Sequence, residues 1–417
     1  MKWTKQPLNK VADLCLGKML DEKKNKGQPL PYLANINVRW GTFDLDNLRE
    51  MRFEENELER YGLKYGDIVM CEGGEPGRCA IWKEAMPGMM IQKAIHRIRP
   101  HENLDFRYLY YDFLHKGRTG EFASMFTGAT IKHLPGQNLA KIEIAIPPLD
   151  IQRRIADILS AYDDLIENNR RRIDLLERSA HMLYKEWFVF LRFPGHEHAK
   201  VKDGVPQGWE VKIFEETLAN HIGGGWGQEE PLGNETTPAY VIRGTDITSI
   251  YDGEFQTISL RYHKEKPLEA RLLIPGDIIF EVSGGSPTQL IGRSLLISER
   301  MLDVFDSKVI CASFCKRFTP TSRLLSPYLY YHFKHIRESG ELSKFIKHSA
   351  SALQNFNFAA FLKLHNVLVP DIELLEQFAE QVNLIESQII GLADQINALQ
   401  QARDLLLPRL MNGEIPV

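Results

Sequence analysis

The sequence predicts an α+β fold in which two similar modules are separated by two long antiparallel coiled-coil helices, related by pseudo-twofold symmetry. Three pairs of matching segments carry this prediction. YGDIVMCEGGEPGR at 65–78 is matched by PGDIIFEVSGGSPTQLIGR at 275–293, and YLYYDF at 108–113 by YLYYHF at 328–333. IAIPPLDIQRRIA at 144–156 is matched by VLVPDIELLEQFA at 367–379. The period far exceeds the roughly 20–50 residues of solenoid repeats, which indicates a duplicated domain.

The matched segments divide the 417 residues into four predicted parts. Residues 1–149 form the first module and residues 150–190 a central helix. Residues 191–370 form a linker and the second module, and residues 371–417 a C-terminal helix. Each long helix begins beside a proline, Pro148 or Pro370, because proline is tolerated at helix starts and disfavoured inside helices.

Within the modules, short β-rich runs bounded by turn residues predict strands. The predicted strands are Tyr32 to Val38, Asp67 to Cys71, Tyr240 to Ile247 and Asp277 to Val282. The two tyrosine blocks predict helices from Phe106 to Leu114 and from Pro327 to Ile336. Glycine-rich loops follow the second strand of each module.

The long helices carry apolar residues at alternating spacings of three and four, which is typical of a coiled-coil seam. The predicted seam contains Ile155, Ile158, Tyr162, Leu165, Leu176, Leu183, Ile385, Leu392, Leu399 and Leu406. Asn169 and Arg403 interrupt it, either as devices that fix the register or as solvent-facing positions. We expect the two helices to pack on each other; the alternative is that each packs only on its own module.

Composition excludes several classes of protein. The chain has no run of about 18 apolar residues and no signal peptide at its start, so a cytoplasmic location without a membrane span is expected. Net charge is −4, with eight acidic and two basic residues in 371–417, so the remainder is near neutral and could present basic faces. No phosphate-binding loop or other catalytic motif is found, and His196 and His198 lack metal-ligand spacing.

Three stretches are similar to the specificity subunits of type I restriction–modification systems. They are IPPLDIQRRIADILSAYDDLIENNRRRIDLLE at 146–177, WFVFLRFPGHE with GVPQGWE at 187–210, and LLLPRLMNGEI at 405–415. Each module also resembles that family's target recognition domain in the order of strand, glycine loop and tyrosine helix. The resemblance spans nearly the whole chain.

The resemblance implies a non-catalytic subunit that reads both halves of a split asymmetric DNA site. In such systems each module reads one half, and the helices set the spacer between the halves. The implied partners are double-stranded DNA, two methyltransferase subunits that hold S-adenosylmethionine, and two restriction subunits that use ATP and Mg. The chain itself would hold no cofactor.

Polar residues in the module loops are the candidates for contacts with DNA. Arg pairs well with guanine, and Asn or Gln with adenine, because each can form two hydrogen bonds with its base. The candidates are Asn35, Asn37, Arg39, Glu75, Arg78 and Lys132 in the first module, and Arg243, Asp246, Ser286, Thr288, Gln289 and Arg293 in the second. Each could instead be a turn or packing residue.

Three other functions remain open from the sequence. The chain could be the recognition part of a restriction system that is divided differently between its subunits. It could be a coiled-coil adaptor that binds protein and has no DNA specificity. It could also be an enzyme with an unfamiliar site, although the missing motifs argue against this.

Overall fold

The computed structural model describes residues 3–21, 25–46, 48–251, 255–284, 290–348 and 354–417. The chain forms two compact units. Unit 1 comprises Met1–Leu165 and Leu399–Val417, and unit 2 comprises Ile166–Ala398. Both long helices contribute residues to each unit, so neither unit is formed by one continuous half of the duplication. The four-part division of the chain stays a prediction.

Unit 1 contains a four-stranded sheet, a three-stranded sheet and a two-stranded ribbon. Its strands are β1 Thr4–Pro7, β2 Ala12–Leu16, β3 Gln28–Leu33, β4 Arg49–Phe53, β5 Ile68–Cys71, β6 Cys79–Ile81, β7 Met90–Ile91, β8 Ile95–Pro100 and β9 Glu143–Ile146. The sheet orders are β2-β8-β5-β6, β4-β3-β7 and β1-β9. Its helices are α1 Glu55–Tyr61, α2 Phe106–Thr119, α3 Gly136–Leu139 and the first part of α4 Leu149–Tyr184.

Unit 2 repeats this arrangement. Its strands are β10 Val201–Lys202, β11 Val205–Pro206, β12 Glu210–Ile213, β13 Leu218–Gly223, β14 Thr237–Ile242, β15 Ser259–His263, β16 Ile278–Glu281, β17 Ser283–Gly284, β18 Ser294–Leu296, β19 Lys308–Cys311, β20 Cys315–Pro320, β21 Ile346–His348, β22 Gln354–Phe356 and β23 Asn366–Val369. Its helices are α5 Asp246–Tyr251, α6 Glu265–Glu269, α7 Glu299–Leu302, α8 Leu325–Glu338, α9 Phe358–Leu364 and most of α10 Ile372–Met411.

The sheets of the two units have the same strand order. The sheets β13-β20-β16-β18, β15-β14-β19 and β12-β23 in unit 2 match the three sheets of unit 1 strand for strand. Unit 2 adds the sheet β17-β22-β21 and the ribbon β10-β11. The duplication predicted from the sequence is therefore present in the topology, and the α+β fold class is confirmed.

Two predicted strands end earlier than expected. The first stops at Leu33, and a 3₁₀ turn follows at Asn35–Asn37, where the Asn37 side chain accepts a hydrogen bond from the Ala34 amide at 3.0 Å. The second stops at Ile242, and the Asp246 carboxylate accepts one from the Arg243 amide at 2.8 Å. Asn and Asp side chains compete with strand pairing by bonding the nearby backbone.

The two long helices run antiparallel within unit 2. The Asn169 amide of α4 donates to Gln395 of α10 at 3.2 Å, while farther along the chain the Phe188 and Phe378 rings lie 4.8 Å apart. Asn169 is 6% exposed, so the alternative of a solvent-facing position is wrong for it. The helices thus pack on each other, as expected.

The apolar stripe of α4 differs from the predicted seam. Ile158 and Leu165 were expected in the seam but are 37% and 52% exposed. The buried side lies one residue further along, at Leu159 and Ile166. A straight α-helix drifts by about 20° per heptad relative to a 3.5-residue repeat, so a spacing pattern alone does not fix the buried face.

Of the other predicted seam residues, Ile155 and Leu392 are buried, whereas Tyr162, Leu176, Leu183, Ile385, Leu399, Arg403 and Leu406 are partly buried. The unit 1 core joins the α2 residues Tyr108, Leu109 and Phe113 to residues of both long helices. Those residues are Ile155, Leu159, Leu407 and Leu410. No helix in the described ranges has the length and apolarity needed to span a membrane.

Candidate nucleic-acid interface

Three loops meet at one end of the first module. The Asn35 side chain donates to the Gly73 carbonyl at 3.3 Å, which joins the turn after β3 to the glycine loop between β5 and β6. A third loop joins them, because His133 forms β-bridges with Thr127 and with Gly73. The candidate residues of this module all lie in these three loops, so the structure brings them together.

The first-module candidates differ in what their side chains already contact. Arg78 pairs with Glu75 at 2.7 Å and donates to the Asn35 carbonyl at 3.0 Å, and its side chain is only 16% exposed. The Asn37 side chain accepts from the Ala34 amide and donates to the Asp44 carbonyl at 3.1 Å. Glu75 and Arg39 are exposed, at 56% and 48%, and Lys132 is also exposed. Arg78, Asn35 and Asn37 hold the loops, whereas Glu75, Arg39 and Lys132 face solvent.

In the second module, two arginine pairs lie near the equivalent glycine loop. Arg293 forms a bidentate ion pair with the buried Glu281, in which Nη2 and Nε donate to the two carboxylate oxygens at 2.7 and 3.0 Å. This carboxylate raises the pKa of Arg293 above its ordinary value. Arg243 pairs with the buried Asp246 at 2.7 Å and keeps 41% of its side chain exposed. Ser286, Thr288 and Gln289 lie outside the described residues.

Arg78 and Arg293 occupy the same position in the two modules. Each follows a glycine loop, and each guanidinium approaches the residue that ends the preceding strand. That residue is Cys71 in the first module, with its Sγ 4.0 Å from Arg78, and Glu281 in the second. The scaffold under the loop is therefore shared, while the polar groups on it differ between the modules.

Two aromatic residues near these loops were not predicted from the sequence. The Trp40 indole donates to Glu75 at 3.2 Å, so Trp40 helps to set the direction of an exposed candidate. Phe314 is 64% exposed, and its carbonyl accepts from the Val282 amide at 2.9 Å beside the second glycine loop. Both are isolated aromatics in turns, where no periodic pattern marks them.

Each tyrosine helix holds the long helix of its own module. The Tyr111 hydroxyl of α2 donates to Asp163 of α4 at 2.7 Å, and the Tyr331 hydroxyl of α8 donates to Glu386 of α10 at 2.9 Å. These contacts are repeat equivalents, as are those from Tyr108 to the Ala145 carbonyl and from Tyr328 to the Leu368 carbonyl. Both modules therefore sit on their helices in the same way.

Each unit also ties its tyrosine helix to the other long helix. In unit 1, Arg403 of α10 pairs with Asp163, and Arg118 of α2 pairs with Asp404. In unit 2, Lys334 of α8 pairs with Glu177 of α4 at 3.2 Å, and Glu338 of α8 contacts His181 of α4 at 3.3 Å. We call these contacts and the tyrosine–acid contacts the helix clamp. Arg403, predicted to interrupt the seam, is thus a partly buried member of an ion-pair network.

The fold and these loops define a two-module recognition protein, with unlike polar loops on a duplicated scaffold clamped to a helix pair. Within the described part of the chain, no three His, Cys, Asp or Glu side chains gather as a metal site. Residues 2–178 match the family model described as "Type I restriction modification DNA specificity domain".

Two similar proteins cover most of the chain. The type I restriction enzyme MjaIX specificity subunit of Methanocaldococcus jannaschii is 26% identical over 100% of this chain and 94% of its own length. The HindI specificity subunit of Haemophilus influenzae is 21% identical over 85% of this chain and 87% of its own. The chain is therefore similar over most of its length to specificity subunits of type I restriction–modification systems.

The fold is similar to that of a solved structure. The crystal structure of a type I restriction–modification S subunit from M. genitalium matches with a TM-score of 0.51 at 15% identity, covering 98% of this chain and 96% of the other. This likeness concerns the fold. The family model and the two similar specificity subunits bear out the predicted DNA-specificity function, and they do not support the alternative of an adaptor without DNA specificity.

Proposed function

We propose that each module reads one half of a split asymmetric DNA site and that the paired helices set the spacer between the halves. The observation that carries this proposal is the contrast between the shared scaffold and the different loop residues of the two modules. A common scaffold presents each loop set in the same way, while unlike side chains read unlike bases.

The present contacts suggest separate roles for the candidate residues. Arg78 and Arg293 are held in ion pairs inside their modules, so we assign them to shaping the loops. Glu75 is exposed and can accept a hydrogen bond from the exocyclic amine of cytosine. Arg243 is the exposed arginine of the second module that could reach a guanine. Lys132 and Arg39 suit phosphate contacts, which fix register.

The same proposal includes the partners that the family implies. The chain would join two methyltransferase subunits, which hold S-adenosylmethionine, and two restriction subunits, which use ATP and Mg. It would itself be non-catalytic. Leu175 and Met182 of α4 are both 63% exposed, which supports the docking of an apolar partner surface along this helix.

The test is to co-express the chain with its methyltransferase partner and map modified adenines by single-molecule sequencing. The expected result is a single motif with two unlike halves and a fixed gap. Glu75→Gln should change base preference in one half only, and Arg243→Gln in the other half only. Glu55→Gln, an exposed change in α1, is the matched control and should leave the motif intact.

Two results would count against the proposal. One is a stable complex with the methyltransferase that modifies DNA without a split motif. The other is a change in both halves from a substitution in one module, since that would mean that the modules do not read separately.

A further inference from the structure

The polar contacts of the helix clamp differ in charge between the two halves of the duplication. The N-terminal half comprises residues 1–190 and the C-terminal half residues 191–417. In unit 1, Arg118 of the N-terminal half pairs with Asp404 of the C-terminal half. In unit 2, Glu338 of the C-terminal half contacts His181 of the N-terminal half at 3.3 Å. Each contact thus joins unlike halves inside one unit.

These two contacts occupy the same place in the repeat. Arg118 and Glu338 follow their tyrosine blocks by the same number of residues, and His181 and Asp404 are equally far along their long helices. The acidic partner lies on the long helix in unit 1 and on the tyrosine helix in unit 2. The acid and its basic partner have exchanged places between equivalent positions, and burial lowers the pKa of His181 below its ordinary value.

Two further ion pairs also depend on unlike halves meeting. Arg403 reaches Asp163, and both are mostly buried, at 12% and 28% exposed. The N-terminal half has Ala180 where the C-terminal half has Arg403. Lys334 pairs with Glu177 at 22% and 26% exposed. At these two positions the opposite halves carry uncharged residues, Leu114 for Lys334 and Gln400 for Glu177.

Two copies of this chain would pair equal halves if the N-terminal half of one packed on the N-terminal half of the other, and likewise for the C-terminal halves. Such pairing would lose most of these contacts. Between two N-terminal halves, Arg118 would meet His181, and Asp163 would face Ala180 and lose its cation. Between two C-terminal halves, the Glu338 and Asp404 carboxylates would meet, and Lys334 would face Gln400. Only a contact between Glu386 and Arg403 would be gained. Like charges in contact and buried unpaired charges are unfavourable.

We propose that the helix clamp selects the pairing of unlike halves and so disfavours the pairing of equal halves from two copies of this chain. A duplicated protein faces this mispairing because its two copies of each surface are nearly interchangeable, and charge patterns are a common way to forbid the wrong pairing. This selection belongs to the chain alone and does not depend on DNA or on the partner subunits.

The test exchanges the charges on the tyrosine helices of the full chain. Arg118→Glu with Glu338→Arg keeps the composition but favours equal halves at both positions. Adding His181→Asp with Asp404→His restores the pairing of unlike halves, again with the same composition. The chains are unfolded, refolded by dilution at one concentration and analysed by size-exclusion chromatography with light scattering.

The wild-type chain should refold as a monomer. The double variant should give about 3- to 10-fold more dimer and higher oligomer, since surface pairs of this kind contribute modestly. The quadruple variant should return to the wild-type distribution. The proposal fails if the double variant is no more oligomeric than wild type, or if the quadruple variant stays as oligomeric as the double.

A milder pair of substitutions covers the case in which the double variant does not refold. Arg118→Gln with Glu338→Gln removes both charges from the tyrosine helices and leaves neither pairing favoured at these positions. Its oligomer content should lie above that of wild type, and an unchanged distribution overturns the proposal. The oligomer content is measured without DNA or partner subunits, so a failure of this proposal leaves the proposed function untouched.

Discussion

The two units hold an acid at the same point of the helix clamp but stabilise it differently. In unit 1, Asp163 accepts from Tyr111 and pairs with Arg403. In unit 2, the equivalent Glu386 accepts from Tyr331, and Ala180 stands where the repeat would put the arginine. Burial of Glu386 raises its pKa to about 7. The equivalent tyrosine hydroxyls therefore donate to a charged carboxylate in unit 1 and to an acid that is readily protonated in unit 2.

Two equivalent sites of the duplication therefore stabilise their acids by different interactions. Burial disfavours the charge of Arg403, but Asp163 and Asp404 raise its pKa above the ordinary value, so the unit 1 network stays ionised. An ion pair in that setting is most sensitive to the removal of one partner, while a single buried acid is most sensitive to pH.

The largest expected effect comes from breaking the unit 1 network. Arg403→Leu removes the cation from Asp163 and should lower the free energy of unfolding by about 3 kcal/mol. Urea unfolding of the purified chain measures it. Arg300→Leu is the matched control, because its pair with Asp394 is 51% and 39% exposed and should contribute less than about 1 kcal/mol. Equal effects from the two substitutions would refute a special role for the buried network.

The second effect is a pH dependence confined to unit 2. Because the folded-state pKa of Glu386 is raised from 4.5 to about 7, stability should fall as pH rises between these values and level off above 7. Glu386→Gln removes this slope. Relative to wild type, it should gain about 2 kcal/mol between pH 5 and pH 8, measured by urea unfolding at both values. A parallel pH profile for Glu386→Gln and wild type would contradict the prediction.

The smallest effect separates the two tyrosines. At pH 6, Tyr111→Phe removes a hydrogen bond to a charged carboxylate and should cost about 2 kcal/mol, whereas Tyr331→Phe removes one to a largely protonated acid and should cost about 1 kcal/mol. Thermal unfolding of both variants at that pH gives the comparison. If Tyr331→Phe proves the costlier change, the assignment of charge to the two acids is reversed.

Much of the fold could be predicted because short segments of sequence are repeated in the two halves of the chain. The tyrosine blocks and the proline-started helices combine local propensity with hydrophobic spacing, and both are found close to where they were expected. The contact from Tyr111 to Asp163 was not foreseen, since it joins residues 52 positions apart that no local pattern links. The exposed Ile158 and Leu165 show the same limit for a long seam.

The candidate interface was predicted by region more accurately than by residue role. The candidates of the first module were expected in loops because glycine and proline mark turns, and the meeting of three of these loops was not foreseen. Residue type alone could not reveal that Arg293 forms an ion pair with Glu281, or that the Asn37 side chain already bonds the backbone of Ala34 and Asp44. The contacts of each candidate with DNA remain predictions.

The composition of unit 1 from two distant stretches of chain affects how the protein is made. Asp163 leaves the ribosome long before Arg403, and roughly 230 residues of unit 2 are synthesised in between. At about 5–20 residues per second, the first module waits on the order of 10–50 s for its last helix. During this interval the Asp163 carboxylate stays without Arg403. The apolar surface that Leu407 and Leu410 later cover also stays exposed. Nascent chains therefore have a window in which chaperones, or neighbouring chains on the same messenger RNA, can reach that surface.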